Sequence, residues 1–430
     1  MSDASPSDVP ASEPPASRDP VSALERQRAL MRKVSQAVDE IERGHAPGKT
    51  VHAAADQIIA RFRDDLGIYG GRLYERDGDA YVLRTTFPDA RPVAVSIRIP
   101  VTYPPVEACL LRGTVYMAPD DPRIDPAIEE PLGVAEFAAV ELSGERYLLG
   151  FNVAPGHDRQ EILSSLGVVR HAINQRLRRE WINQVLREAK QIHESILPQA
   201  PPVHGAFDIA GRNASMESVG GDLYDFIPIS DRILGVAVAD VSGHGLPAAL
   251  QVRDIYTGLR MGLARDFKIV RTIERLNTII HQSTMTSRYA SLFYGELEQN
   301  GMFIYTNAGH PPPIHIWASD DRVVRLDQGG PVLGPLRDAT YNRGMAHVQS
   351  GDILAIYSDG VTEAMRQGVD SGDPNDEYGT ERLIAVLRDT RGRSSAAVID
   401  AVFADLARWT GDASPGDDRT LVIVQRPADD

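Results

Sequence analysis

Apolar positions along the chain follow two rhythms. From Val21 to Gly44, Leu24, Met31, Val34, Val38 and Ile41 fall near helical spacing with charges between them, which predicts a helix. Thr50 is placed to cap a second helix reaching Leu66, with Ala55, Ile58, Ile59 and Phe62 on one face. The rhythm then turns to strands. "GRLYER" and "AYVLRTTF" flank Asp77-Gly78-Asp79, a hairpin signal, and "VAVSIRIP", "GTVYMA" and "RYLLGFNV" add further strands. Helical spacing returns from Arg159 to Leu197, through Ile162, Leu166, Val169, Ile173, Leu177, Trp181, Val185, Ala189, Ile192 and Ile196. At helical rise this segment would span on the order of 55 Å, which predicts a coiled-coil connector with a seam at Ile173, Leu177, Trp181 and Val185. Pro198 ends it.

Beyond Val203 the apolar runs are strand-like again: "ILGVAVAD", "ASLFYGELEQ", "MFIYTNAG", "DILAIYSDG" and "TLVIVQR", with Asn300-Gly301 as a hairpin turn. Helices fit at Leu246–Ala264, Ile269–Ser283, Glu381–Arg388 and Ser395–Thr410. Consecutive strands with helices grouped between them predict an α+β sandwich. The first twenty residues, rich in Pro, Ser, Asp and Ala, have no core-forming pattern and are expected to be disordered.

Composition narrows the function. The chain has 430 residues and a formal net charge of −15, which argues against a dedicated nucleic-acid binder or a basic membrane-surface protein. No apolar run approaches the roughly 18 residues of a membrane span, and the N-terminus has no signal-peptide core, so a cytoplasmic protein is expected. The single cysteine, Cys109, excludes a disulfide framework and a cysteine zinc site, and reads as a small core residue.

The candidate chemistry lies in carboxylates at strand mouths. "VGGDLYDF" supplies Asp222, "VADVSGHG" Asp240, "IYSDGVTEA" Asp359, and "GDDRTLVIV" Asp417 and Asp418. One Asp-Gly after a strand is usually a turn. Repeated through one domain, the pattern points to hard divalent cations held by oxygen, Mg²⁺ or Mn²⁺ rather than Zn²⁺. Two such ions can activate a water and clamp a phosphoryl group. His244, close to Asp240 in sequence, is a candidate general acid or a residue that orients its loop. His310, before three prolines, reads as turn packing. Ser242 lacks the surroundings of a nucleophile elbow.

Residues 203–427 resemble the type 2C (PPM) Ser/Thr phosphatases, in particular their SpoIIE-like branch. "VGGDLYDF", "ADVSGHGLPAAL", "YASLFYGEL", "TNAGHPPPI", "GGPVLGP", "GDILAIYSDGVTEA" and "DDRTLVIV" carry the resemblance, in the order of that branch. It implies an α-β-β-α sandwich. It implies metal ligation by Asp222, by a bridging Asp240, by the Val241 carbonyl, and by Asp359 and Asp417, the last chosen over Asp418. The branch usually has Glu directly before "VGGD"; here Ser218 stands there and Glu217 one residue earlier. The layout of the N-terminal half, with phrases such as "RLYERDGDAYVLR", resembles a GAF-type sensor domain.

The expected organisation is therefore a disordered tail over 1–20, a helix plus GAF-like domain over 21–158, a helical connector over 159–200 and a phosphatase domain over 201–430. The resemblance implies a regulated phosphoserine/phosphothreonine phosphatase with two Mn²⁺ or Mg²⁺ ions. Its substrate would be a phosphorylated STAS-type anti-sigma-factor antagonist and its signal a small molecule or protein at the N-terminal domain; the coiled-coil period of the connector predicts a homodimer. Two rivals remain open: an inactive phosphatase-like scaffold and a metal phosphohydrolase for small phosphoesters.

Overall fold

The computed structural model describes residue 32 and residues 47–87, 97–133, 136–217, 219–263, 268–283, 289–368, 374–411 and 416–428. The predicted tail, nearly all of the predicted helix over 21–44, and Ser218 lie outside the described residues. The chain divides into two compact units, Met1–Gln184 and Val185–Asp430. Among the described residues, no helix is long and apolar enough to cross a membrane.

The first unit opens with α1 (Pro47–Leu66), then β1 (Ile68–Asp77) and β2 (Ala80–Phe87). Gly78 makes the β1–β2 turn at φ 64°, a conformation it enters without a Cβ penalty. β3 (Arg98–Pro100), α2 (Pro104–Arg112), β4 (Thr114–Met117), α3 (Pro126–Glu129), β5 (Phe137–Leu142) and β6 (Tyr147–Val153) follow. The six strands form one antiparallel sheet in the order β3-β2-β1-β6-β5-β4. Alternate residues serve two cores. Ile68, Leu73, Val140 and Leu149 pack with Val51, Ala55 and Ile58 of α1; Tyr74, Tyr81, Val115 and Leu148 pack with Val106 and Cys109 of α2. Neither α2 nor β5 was anticipated from the sequence, whereas the burial of Cys109 was.

α4 (Arg159–Glu194) begins in the first unit and ends in the second. Ile162, Leu166, Val169, Ile173 and Leu177, spaced three or four apart, are buried in the first unit's α1-side core. Ile173 and Leu177 therefore face their own sheet, not an interhelical seam. The face changes beyond them, where Trp181 is 63% exposed. The helix stops three residues short of the predicted end, and Ile196 and Leu197 close it with turn hydrogen bonds to His193 and Glu194 carbonyls.

The second unit continues with β7 (Asp208–Ala214), β8 (Asp222–Ser230), β9 (Ile233–Val241), α5 (Leu246–Leu263), α6 (Ile269–Gln282), β10 (Ala290–Glu298) and β11 (Met302–Ala308). It is completed by β12 (Ile314–Ile316), β13 (Val323–Arg325), β14 (Gly329–Gly330), β15 (Gly344–His347), β16 (Ile353–Tyr357), α7 (Asp359–Thr362), α8 (Thr380–Asp389), α9 (Ser395–Thr410) and β17 (Arg419–Gln425). One sheet runs β14-β11-β10-β9-β8 with β15 beside β11; the other runs β13-β12-β16-β17-β7. Phe226, Val236, Val238, Phe293, Leu354 and Val422 interdigitate between the sheets. The first sheet's outer face carries α5 and α6 through Val252, Ile255, Ile273 and Leu276. The other's carries α8 and α9 through Leu383, Leu387, Val398 and Val402. This is the expected four-layer α-β-β-α sandwich.

Candidate active site

Pairing register brings the first two aspartates together. β8 begins at Asp222, β9 ends just past Asp240, and the two residues lie directly opposite across this antiparallel pair. Cross-strand neighbours have Cβ atoms roughly 5 Å apart. In the other sheet β16 runs into Ser358 and Asp359, while Asp417 and Asp418 lead into β17. The sandwich thus gathers at one edge the acidic ends of four strands.

Hydroxyls lock the two sheets together there. Ser358 Oγ donates to Asp222 Oδ2 at 2.7 Å, and Thr420 Oγ1 donates to the same oxygen at 2.6 Å. Asp222 is 1% exposed. Burial, then the neighbouring Asp240 charge, raise its carboxyl well above the usual range, with the two hydroxyls partly compensating. Asp240 is pushed up to about 7 by burial and by Asp359, Asp417 and Asp418, and it hydrogen-bonds Asp222. Asp359 is raised by burial and by Asp417. These groups repel each other, as expected of carboxylates gathered without a counter-charge.

Asp417 and Asp418 differ in employment. Asp418, 5% exposed, accepts from Met216 N at 2.7 Å and from Gly221 N at 2.5 Å, pinning the loop before β8. A Cβ at Gly221 would lie 2.8 Å from the Val241 carbonyl oxygen, and one at Gly360 would lie 2.0 Å from that of Asp418. These glycines are demanded by close backbone approach. Asp417 is exposed, its Oδ1 accepting from Asp418 N at 2.8 Å. Asp225, three residues into β8, is gripped by Arg260 of α5 through two hydrogen bonds of 2.9 and 2.8 Å, which ties the strand to its covering helix.

The donor set suits a hard cation: several carboxylates, the Val241 carbonyl close by, and no thiol. Among the described residues, however, no three His, Cys, Asp or Glu side chains surround one point as they stand. Asp222 instead accepts from Ser358 and Thr420, and Asp240 is hydrogen-bonded to it. The residue types fit such an ion.

His244 is exposed and paired. Its side chain is 65% exposed, with Nδ1 2.8 Å from Glu217 Oε1. The Glu217 displaced by one residue from the familiar pattern thus has a partner. His310 is a packing residue: its N–H donates to Asn307 Oδ1 and its Nδ1 lies 3.0 Å from Pro311 O. Burial drives its imidazole down to about 4. Ser242 exchanges hydrogen bonds with the Tyr289 backbone. Ser358 and Thr420 were not singled out as supporting residues from sequence, whereas Glu217 was noted only for its shifted place. The Ser before "DG" and the Thr after "DDR" were visible, but only the pairing of β16 with β17 aims them at Asp222.

Residues 230–427 match the family model described as Stage II sporulation protein E (SpoIIE). The phosphoserine phosphatase RsbU of Bacillus subtilis is 25% identical over 57% of this chain and 71% of its own. The phosphoserine phosphatase RsbP of the same organism is 26% identical over 41% of this chain and 45% of its own. Protein IcfG of Synechocystis is 24% identical, and only 42% of it is covered. Among solved structures, the SiaA-PP2C domain of Pseudomonas aeruginosa superposes with a TM-score of 0.50 at 18% identity, covering 57% of this chain and 98% of that domain. That likeness is one of fold.

Proposed function

From the match of residues 230–427 to the SpoIIE family model and the likeness to two phosphoserine phosphatases, we propose that this chain is a regulated, metal-dependent protein phosphatase acting on phosphoserine or phosphothreonine. The observation that carries the reading is the gathering of Asp222, Asp240, Asp359 and Asp417 at one edge of the sandwich. Asp222, Asp240 and the Val241 carbonyl would hold one Mn²⁺ or Mg²⁺ ion, and Asp240, Asp359 and Asp417 a second. Such ions supply an acidified water and neutralise phosphoryl charge. Ser358 and Thr420 keep Asp222 oriented for this role.

His244, held by Glu217, would donate a proton to the departing seryl oxygen. The oxygen of water bonds to phosphorus, the phosphorus–seryl oxygen bond breaks, and the products are a free hydroxyl and inorganic phosphate. The names of RsbU and RsbP as phosphoserine phosphatases support a seryl ester as substrate. We assign the substrate to the STAS-domain class in partner-switching signalling, with the N-terminal unit as signal receiver, the connector as transmitter and a homodimer as the working assembly.

The test is phosphate release from a phosphorylated STAS-domain protein, a phosphopeptide and a nucleotide, with and without Mn²⁺. Metal-dependent release from the phosphoprotein, far above the nucleotide, is expected. No release under any condition would establish the scaffold reading, and preference for the nucleotide the small-phosphoester reading.

A further inference from the structure

The first unit contains a cavity of about 40 Å³ between α2 and the sheet. A single water needs roughly 10–15 Å³, so there is space for a few waters or one small molecule. Tyr74, Val106, Cys109, Phe137 and Leu148 make its walls largely apolar. Its polar end is Arg72, an arginine on a central strand and only 4% exposed.

Arg72 is incompletely satisfied. Its Nε and Nη1 find no hydrogen-bond partner. The nearest charge, Glu129 Oε2, stands 3.7 Å from Nη1, beyond hydrogen-bond range. Glu129 Oε1 accepts from Tyr103 at 3.2 Å, itself a long contact. Burial raises the Glu129 carboxyl more than Arg72 lowers it. A structural ion pair at this depth is expected to close up, because each ion loses its water on burial. This pair stays apart beside empty space. Register makes the room: Arg72 lies opposite Gly150, whose missing side chain leaves the guanidinium lodged against bare strand, while the Phe137 ring lies 5.9 Å from it.

We propose that this cavity is a binding site for a small molecule with an apolar body and a terminal carboxamide or carboxylic acid, its carbonyl oxygen accepting from Arg72 and its N–H or O–H donating to Glu129. A group that both accepts and donates is complementary to a separated Arg–Glu pair, and an apolar body matches the walls. The site goes beyond the phosphatase reading and does not depend on it.

The experiment uses the full chain with propionamide and propionate as probes, the latter taken up with a proton as the acid, read by saturation-transfer NMR. Butan-2-one, which has the carbonyl but no donor, is the control. Ala139 lines the cavity from β5, so Ala139→Ile fills it with a residue suited to a strand. Saturation of propionamide or propionate, about tenfold weaker for the ketone and lost in Ala139→Ile and Arg72→Met, is expected. The better of the two probes identifies the terminal group. If Arg72→Met does not fold, Ala139→Ile and the ketone decide. No saturation of either probe, equal binding of the ketone, or binding that survives Ala139→Ile or a folded Arg72→Met would overturn the assignment.

Discussion

Asp240 bears most directly on the proposed chemistry, and its behaviour is testable at the residue scale. Its folded-state carboxyl titrates near 7, against 3.8 for an unperturbed aspartate. Proton uptake therefore favours the folded state. That contribution is complete below the unfolded value and is lost as pH rises through about 7. In excess chelator, melting temperature should fall between pH 5 and pH 8, and Asp240→Asn should flatten the fall. The same substitution should remove most Mn²⁺-dependent turnover, since an amide is a weaker ligand for a hard cation. Unchanged turnover at low Mn²⁺ would reject the assignment. The neighbouring aspartates should separate by another signature. Asp418→Asn deprives one of two backbone N–H groups of its acceptor, at about 1–3 kcal/mol, and should lower the melting temperature. Asp417→Asn, at an exposed position, should leave stability intact while lowering activity more. Ser358→Ala should reduce Mn²⁺ affinity by about 10–100-fold, as loss of a ligand-orienting hydrogen bond does. The carboxylates were legible because each ends or precedes an apolar strand. Their division of labour was not, because adjacent aspartates in "GDDRT" differ only in which one reaches the loop before β8.

At the scale of elements, β9, β10, β11, β16, β17 and the helices that cover the sheets were readable: these strands, sandwiched between layers, run almost continuously apolar, and the helices carry one apolar face. The missed strands explain the limits of that signal. β7 reads "DIAGRNA" and β14 is two glycines, so neither has an alternating apolar pattern. Their places come from pairing with β17 and β11. The connector shows the converse. Its helical period was correctly read over 36 residues, but a period does not say what a face packs against. Ile173 and Leu177 belong to a core, whereas Trp181 and Ile182 are exposed. Ile173→Glu should therefore destabilise the first unit by several kcal/mol, from lost burial and an unpaired buried charge. It should lower the melting temperature whatever the assembly state. Trp181→Glu should leave that temperature unchanged and, if the exposed face pairs with a second copy, shift the sedimentation coefficient to that of a monomer. Ile192 is exposed, while Ile196 and Leu197 pack with the α5–α6 core. Mechanical input from the connector can then reach the second unit's core through the latter pair. His193 beside them is buried with neither ring nitrogen hydrogen-bonded, and it feels the charge of Asp418.

At the scale of the whole molecule, the division after Gln184 falls inside one helix. A continuous helix can carry a rotation or shift only while it remains rigid; this one ends at Glu194, and Pro198, by fixing its own φ and disfavouring the helical region for the residue before it, keeps it from resuming. Ile196 and Leu197, just before that break, contact the same core that holds Leu223 and Ala239, immediate neighbours of Asp222 and Asp240. A displacement there would be felt at the carboxylates as a change in spacing, and so in metal affinity. A signal biases such an element only by binding one arrangement more tightly than another. A fragment of residues 185–430 should fold, because each layer of its sandwich is complete without the first unit. It should retain Mn²⁺-dependent hydrolysis at an altered basal rate. Inserting two residues between Leu177 and Gln184 would turn the distal helix by about 200°. That insertion should leave both units folded by circular dichroism yet shift the Mn²⁺ concentration for half-maximal activity toward the fragment's value. If fragment, insertion variant and full chain shared one Mn²⁺ dependence and one rate on the same phosphoprotein, the helix would be a tether and control would have to be sought elsewhere in the chain.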